Sequence, residues 1–252
     1  MAPTSSSPIE PSIRLRGVAL GYGGAPVLAI EALDLWPGQV TALIGPNGAG
    51  KSTLLSAIAG LRRPDQGSVL VAGHEPHDAR RHIALVLQST AISPHLPVTV
   101  AEVVAMGRYP MRGLLGRFGP DDRAAIERAM ERLDVGDLRQ RQIHELSGGQ
   151  RQRVFVAQGL AQEADVLLLD EPVSGLDAVS QQRILDVVAD ESAAGHTVVV
   201  STHDLAEAAT ADQLVLLAGR IVACGPPDRV MTDEHLAAAY GARLIRLPSG
   251  GT

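Results

Sequence analysis

Lys51 is the only lysine among the 22 basic residues of this chain, and it stands in the run Gly45-Pro-Asn-Gly-Ala-Gly-Lys-Ser-Thr53. That run has the spacing G-x-x-x-x-G-K-[ST]. A sequence that has drifted so far toward arginine keeps its one ammonium where a compact point charge cannot be exchanged for a planar guanidinium fork. The run follows the strand-like VTALI and precedes a helical stretch. Glycines there let successive backbone N–H groups turn inward around phosphate oxygens, and the positive end of the helix dipole adds to the cradle. In such a cradle Lys51 would neutralise β- and γ-phosphate charge and Ser52 would ligate Mg²⁺. Gly45, Pro46, Asn47, Gly48, Ala49, Gly50, Lys51, Ser52 and Thr53 are therefore candidate nucleotide-binding residues. The alternative, a plain glycine-rich turn, fits this strand-to-helix context poorly.

Two carboxylates end the apolar run Val166-Leu-Leu-Leu-Asp170-Glu171-Pro172. At the carboxyl end of a buried strand they sit on the edge where open α/β sheets bind ligands. Side chains alternate along a strand, so the two can divide the work: Asp170 holding Mg²⁺ through water, Glu171 orienting and deprotonating the water that attacks a γ-phosphate. Alone, the pair reads equally well as a solvated acidic turn. Leu146-Ser-Gly-Gly-Gln150, ahead of a helical stretch through Arg151 and Val154, is a second glycine cradle, this one without lysine. Ser147 brings a hydroxyl, and Gly148 and Gly149 allow close backbone approach at a helix N-terminus. In isolation it reads as a Ser-Gly-Gly helix cap, and a lone His203 after a strand reads as structural.

The elements that must position these groups are legible as short apolar runs. VTALIGP, GSVLVAG, IALVLQ, DVLLLDEP and TVVVSTHD have the length and β-branched content of buried strands in a mainly parallel sheet. Helical stretches run from Lys51 to Leu61, Asp121 to Leu133 and Ala178 to Ala194, with Ile126, Met130 and Leu133 at helical spacing in the second. The alternation indicates an α/β layered fold. From about Ser89 to Gln158 the strand pattern gives way to helical sequence broken by Pro and Gly, read as a helical subdomain inserted into the α/β core. LVLLAGRIVACGPP predicts a β-hairpin across Ala218 and Gly219, with short helices around Thr232 to Tyr240.

Composition narrows the function classes. With 45% hydrophobic residues in 252, the chain can bury one substantial core. A net charge of −6 and pI near 5.7 argue against a polyanion-binding surface. Cys224 is the sole cysteine, so no intramolecular disulfide and no cysteine zinc cluster can form. Residues 1–12 lack the basic and apolar regions of a signal peptide and read as a flexible leader. The longest apolar runs, such as Val166–Leu169 and Val198–Val200, are strand-length, far below the roughly 20 residues that span a bilayer.

Taken together, these motifs resemble those of ATP-binding cassette (ABC) ATPases, the nucleotide-hydrolysing subunits of ABC transporters, from about Ile13 to Tyr240. GPNGAGKST matches the Walker A loop, Gln88 the Q-loop glutamine, LSGGQ the family signature, LLLDE the Walker B strand with its base, Ser174 to Asp177 the D-loop, and His203 the switch histidine. Tyr22 falls where the family places an aromatic residue that stacks on adenine, although it can equally be a packing residue. The resemblance implies a P-loop NTPase (RecA-like) core with an N-terminal antiparallel β portion and the inserted helical subdomain: one domain over 13–240, core 13–88 and 159–240, lobe about 89–158, tail 241–252. It also implies a head-to-tail homodimer in which ATP on one copy's Walker A loop is capped by Ser147 and Gly149 of the other. In that assembly Gly148, Gln150 and Asp177 flank the nucleotide, Gln88 joins the Mg²⁺ shell and links it to the helical lobe, and His203 contacts the γ-phosphate. The cofactors implied are ATP and Mg²⁺. The partners are an integral membrane permease and, indirectly, a substrate-binding protein, with no nucleic acid, placing the chain peripherally on the cytoplasmic face of the membrane.

Segments outside the nucleotide motifs bear on substrate. PVTVAEVVAMGRYP, GLAQEADVLLLDEP and ACGPPDRVMTDEHLAAAYG are similar to ATPases of bacterial zinc and manganese importers, and iron-chelate and cobalamin importers share GRYP. Import of Mn²⁺ or Zn²⁺ is the first expectation and of a metal chelate the second. A soluble non-transport cassette ATPase of DNA repair or translation is disfavoured by a single signature and only 58 residues between Gln88 and Ser147. A P-loop kinase or switch protein is the other rival. His74, His77 and His82 lack a carboxylate-rich framework and read as loop histidines rather than a metal sensor. Cys224 reads as a small hydrophobe, and the arginine-rich run 139–153 as a solvated face with phosphate-proximal arginines. Gln158 and Gln39 depart from the family's frequent arginine and glutamate, which puts local ion pairs in doubt rather than activity.

Overall fold

The computed structural model describes residues 10–21, 23, 26–88, 97–112 and 116–241. Two sheets and an α-helical lobe make up the architecture. The smaller sheet is antiparallel, in the order β2 (Pro26–Leu35), β1 (Ile13–Gly21), β4 (Gln66–Val71). The larger has the order β5 (Ile83–Val86), β6 (Val166–Asp170), β7 (Thr197–Ser201), β3 (Val40–Ile44), β8 (Gln213–Leu217), β9 (Ile221–Gly225). All its pairings are parallel except β8 with β9, which close as the expected hairpin through Ala218 to Arg220. One expectation is corrected here: GSVLVAG supplies β4, which pairs antiparallel with β1 and not with the parallel strands. A four-residue apolar core between glycines reads the same way for either kind of strand, and only the partner decides.

β6 is buried at every position, because a parallel strand is covered on both faces. Val166 and Leu168 face the core shared with the antiparallel sheet and with α1 (Lys51–Ile58), where Leu54, Leu55 and Ile58 pack. Leu167 and Leu169 face the opposite side, toward α5 (Gly148–Ala161) and α6 (Ala178–Ala193). A third apolar cluster joins Ala42 and Ile44 of β3 to Leu214 and Leu216 of β8, under α7 (Leu205–Ala208), α8 (Pro227–Val230) and α9 (Asp233–Tyr240). Strand alternation thus fixes a layered α/β body with the carboxyl ends of β3, β6 and β7 on one edge.

The helical lobe comprises α2 (Val100–Ala105), α3 (Tyr109–Arg112), α4 (Pro120–Arg132) and the first part of α5. Thr99 and Glu102 form a reciprocal capping box that starts α2. In α4, Ile126, Met130 and Leu133 turn inward as their spacing predicts. The GR of GRYP is structural. A Cβ on Gly107 would stand 2.1 Å from the Gln158 carbonyl oxygen, so only glycine lets this turn lie against α5. Buried Arg108 then donates to Asp122 at 3.0 Å and to the Ala161 carbonyl at 2.8 Å. Asp122 is completely buried and also takes Arg112 at 2.9 Å. The Gly119 amide and these two guanidinium groups hold its carboxyl down at about 2, against the opposing effect of burial. The boundary near 158 falls inside α5, so the lobe and the core share one helix.

Candidate active site

The phosphate-loop candidates stand where β3 runs into α1. Gly48 and Gly50 are in the left-handed region, at φ 83° and 101°, which glycine adopts without strain. Gly45 is needed for space: a Cβ there would lie 2.1 Å from the Leu217 carbonyl oxygen. The turn leaves the start of α1 open, with Ser52 exposed in its first turn and no side chain capping it. Lys51 is 7% exposed, and its ammonium donates to the Gly45 carbonyl at 2.8 Å. Burial lowers its affinity for a proton, while Glu171 and Asp170 pull it back up, so the cation sits within electrostatic reach of both carboxylates.

A cleft of about 770 Å³ is lined by this whole loop, Gly45 through Thr53, together with Val27, Gln88, Glu171, His203 and Tyr240. At its heart is the Glu171 carboxylate. Its Oε2 accepts from the Gln88 amide nitrogen at 2.8 Å and lies 3.4 Å from His203 Nδ1. With its nitrogen so engaged, the Gln88 side chain is left with its amide oxygen to offer. The Glu171 backbone is left-handed at φ 47°, a costly conformation for a residue with a side chain. It is fastened by its N–H, which donates to the Ser201 carbonyl at 3.1 Å and to the Ser201 hydroxyl at 3.0 Å. The same hydroxyl donates to Asp170 Oδ1. Ser201 thus holds the Asp170 carboxylate and the Glu171 backbone together. It is the register partner of Asp170 across β6 and β7, a pairing that the adjacent DE and STHD strand ends signal once the two strands are taken as neighbours.

The other candidates fall into a second group. Ser147 caps α5, accepting from the Gln150 N–H at 3.2 Å while Gln150 Oε1 accepts from the Ser147 N–H at 3.1 Å. Asp177 caps α6, accepting the Ser180 N–H at 2.9 Å, and that amide holds its carboxyl below the usual range. The two helix starts meet at Gly149, where a Cβ would come within 2.5 Å of Asp177 Oδ2 and 2.6 Å of Ser180 Oγ. Gly148 has nothing within 4 Å of where a Cβ would stand, and it and Ser147 are exposed. None of Ser147, Gly148, Gly149, Gln150 or Asp177 is among the described residues lining the cleft. The structure therefore gathers the loop, Gln88, Glu171 and His203 and leaves the LSGGQ cradle apart, facing outward. Tyr22 lies outside the described residues.

Tyr240, from α9, is a cleft residue that sequence reasoning did not find; a tyrosine more than 180 positions beyond the loop carries no local signal. Arg153 corrects the reading of residues 139–153 as a solvated face: it is 9% exposed and donates to the Leu133 carbonyl at 2.7 Å, bracing α5 against the end of α4. Arg139 pairs with Glu127 on the surface as expected. His77 meets Arg80, and His82 meets Asp165 at 2.5 Å. Among the described residues, no trio of His, Cys, Asp or Glu side chains could hold a metal ion, and no helix is long and apolar enough to cross a membrane.

Asp170 is buried behind the cleft lining with its Oδ1 taken by Ser201, while Ser52 and Gln88 line the cleft and offer oxygens, the ligands a hard divalent cation prefers. Glycine amides, a buried ammonium and an acidic wall together suit a nucleoside triphosphate.

The family model described as ABC transporter matches residues 30–174. The manganese transport system ATP-binding protein of Synechocystis sp. is 39% identical over 233 residues, 91% of this chain and 90% of that protein. The zinc transport system ATP-binding protein of Treponema pallidum is 40% identical, over 92% and 88%. Among solved structures, an inward-facing metal-chelate type ABC transporter is similar with a TM-score of 0.79 and 28% identity, covering 92% of this chain and 89% of that one. The chain belongs to the ABC transporter family, as one of its ATP-binding, ATP-hydrolysing subunits.

Proposed function

We propose that two copies of this chain bind MgATP between them, head to tail, and drive a membrane permease that imports Mn²⁺ or Zn²⁺. The observation that carries the two-copy reading is the separation of the glycine cradles: one lines the cleft beside Glu171, and the other presents Ser147 and Gly148 to the outside. A capped helix N-terminus with an exposed glycine and no lysine of its own is half of an anion site. A second copy supplies the other half, the Lys51 loop.

In this reading the loop amides from Asn47 to Thr53 wrap the phosphates, and Lys51 leaves the Gly45 carbonyl to neutralise them. Ser52, Gln88 and Asp170 would hold Mg²⁺, which would supply charge neutralisation to the phosphate groups. Glu171 orients the attacking water and takes its proton, with its carboxylate held between Gln88 and His203. Ser201 fastens the Asp170 carboxylate and the Glu171 backbone N–H, so that Asp170 is held for the cation and Glu171 for the water. His203 reports on the γ-phosphate. Gln88 connects this chemistry to the helical lobe, and Asp177, fixed at the start of α6 beside Gly149, places the partner-facing cradle.

The metal assignment is supported by the manganese and zinc relatives and by the match extending over most of the chain. A substrate-binding protein and a peripheral position on the cytoplasmic face belong to the same reading. Import of a metal chelate is the second reading, favoured by the metal-chelate type neighbour and by a cobalamin import ATP-binding protein of Halobacterium salinarum, 42% identical over 242 residues. Uptake of radiolabelled manganese, zinc and ferric chelates by vesicles holding this protein with its permease separates the two. Unaltered uptake of all three with Lys51→Ala removes the transport assignment altogether.

A further inference from the structure

Glu207, on the short helix α7, stands between the turn that carries His203 and the helix α6. Its Oε2 accepts from the Thr202 hydroxyl at 2.7 Å, and its Oε1 from the Gln181 amide nitrogen at 3.1 Å. Thr202 is 5% exposed and directly precedes His203. Its hydroxyl also accepts the Asp204 N–H at 3.0 Å, so one oxygen fastens the residues before and after the histidine. The Thr202 N–H donates to the Leu43 carbonyl at 3.1 Å, two residues before Gly45. Asp204 in turn accepts the Ala206 N–H at 2.7 Å, which starts α7 and so places Glu207. On the far side, Gln181 lies one turn into α6, its N–H donating to the Asp177 carbonyl at 2.9 Å, and Asp177 is the residue set against Gly149. A cavity of about 180 Å³ opens between these groups, lined by Val173 to Leu176 as well as by Thr202, Asp204 and Glu207. Glu171 and His203 line both this cavity and the nucleotide cleft. With open space on that side, the turn is held by its hydrogen bonds rather than by packing.

We propose that Glu207 is a positioning residue of the ATPase site: by gripping the Thr202 hydroxyl and the Gln181 amide together, it keeps His203 beside the Glu171 carboxylate and ties that turn to the start of α6. This rests on the ATP reading of the cleft. Glu207 is not among the described residues lining the nucleotide cleft, so nucleotide affinity is spared. Without it the Thr202 hydroxyl loses an ionised acceptor, the stronger kind of hydrogen-bond partner. His203, whose Nδ1 lies 3.4 Å from Glu171 Oε2, then loses its fixed place. A displaced catalytic group slows the chemical step more than it weakens binding.

Glu207→Ala and Thr202→Val each remove one end of this bond, the second with the side-chain volume kept. In ATPase assays each should lower kcat roughly tenfold, with KM within about twofold of the parent. Titration with the magnesium complex of adenylyl imidodiphosphate should likewise give a Kd within about twofold. Thr202→Ser, which retains the hydroxyl, should bring kcat back to within about twofold of the parent. The double variant Glu207→Ala with Thr202→Val should be no slower than the slower single one, because the two side chains act through one bond. A parent-level kcat in either single variant overturns the proposal. So do losses that multiply in the double variant, and so does a Kd that rises as much as kcat falls. Should Glu207→Ala not fold, Thr202→Val against Thr202→Ser decides alone, equal kcat values overturning the proposal. Lys51→Ala serves as the control for the underlying reading. If it binds the analogue as tightly as the parent, the assignment of the cleft to ATP fails, whatever the Glu207 and Thr202 variants do.

Discussion

The two glycines of LSGGQ should fail in different ways when each is replaced by alanine. At Gly149 a methyl group would stand 2.5 Å from Asp177 Oδ2 and 2.6 Å from Ser180 Oγ. The Asp177 cap of α6 must shift to admit it, losing the Ser180 N–H bond of 2.9 Å. A lost cap costs about 1 kcal/mol and a strained helix contact about 1–3, while alanine's better helix propensity returns about 0.5–1. The net for Gly149→Ala is a destabilisation of about 1–3 kcal/mol. At Gly148 nothing lies within 4 Å, so Gly148→Ala should leave stability unchanged or raise it by about 0.5–1 kcal/mol. In the proposed dimer its methyl group would instead enter the space for the phosphates of the nucleotide on the other copy, and hydrolysis should fall roughly tenfold or more. Urea denaturation and MgATP hydrolysis on the same preparations read both quantities. Hydrolysis by Gly148→Ala at the parent rate, or unfolding of Gly149→Ala at the parent's urea midpoint, would refute the distinct roles of the two glycines.

Acid sensitivity should trace in part to Asp122. Its folded-state value of about 2 lies below the ordinary 3.8, so its contribution to stability is complete above about pH 4 and is lost as pH falls toward 2. Asp122→Asn should therefore melt several degrees lower at neutral pH, with buried Arg108 left unpaired, and show a shallower decline in melting temperature between about pH 4 and 2; an unchanged decline would assign the acid sensitivity elsewhere. Gln88→Ala should weaken coupling of hydrolysis to transport more than nucleotide affinity, read as ATP consumed per metal ion taken up in reconstituted vesicles. Equal losses of coupling and affinity would remove Gln88 from that role. Glu171→Gln should keep nucleotide affinity, abolish turnover and trap a dimer in saturating MgATP, visible by sedimentation; a variant still monomeric under those conditions would show that ATP does not join two copies.

The site was legible wherever chemistry demands contiguous residues. The loop around Lys51, the Asp170–Glu171 strand end and the signature each carry their geometry within a few positions, and strand alternation puts their supports in place. Contacts between distant elements were not legible. The Ser201 hydroxyl matters because β6 and β7 are neighbours in register, and Tyr240 matters because α9 folds over β3 and β8. β4 was assigned to the parallel sheet because a short apolar run does not reveal its partner. Arg153 reads as part of a solvated face, since an arginine's burial depends on carbonyls that converge only in the fold. GRYP served first as a mark of resemblance. Its physical content, Gly107 against the Gln158 carbonyl and Arg108 in the Asp122 pocket, emerges only from the packing of α4 and α5.

The claim that one triphosphate is gripped by two molecules is tested most directly by mixing two inactive variants, Lys51→Ala and Ser147→Arg. Each alone has no complete site, because every pair of cradles lacks one half. A mixed dimer joins the intact loop of one variant to the intact signature of the other, so an equal mixture should recover hydrolysis to roughly a quarter of the parent rate. A mixture as inactive as its components, although both variants are folded, would contradict the account.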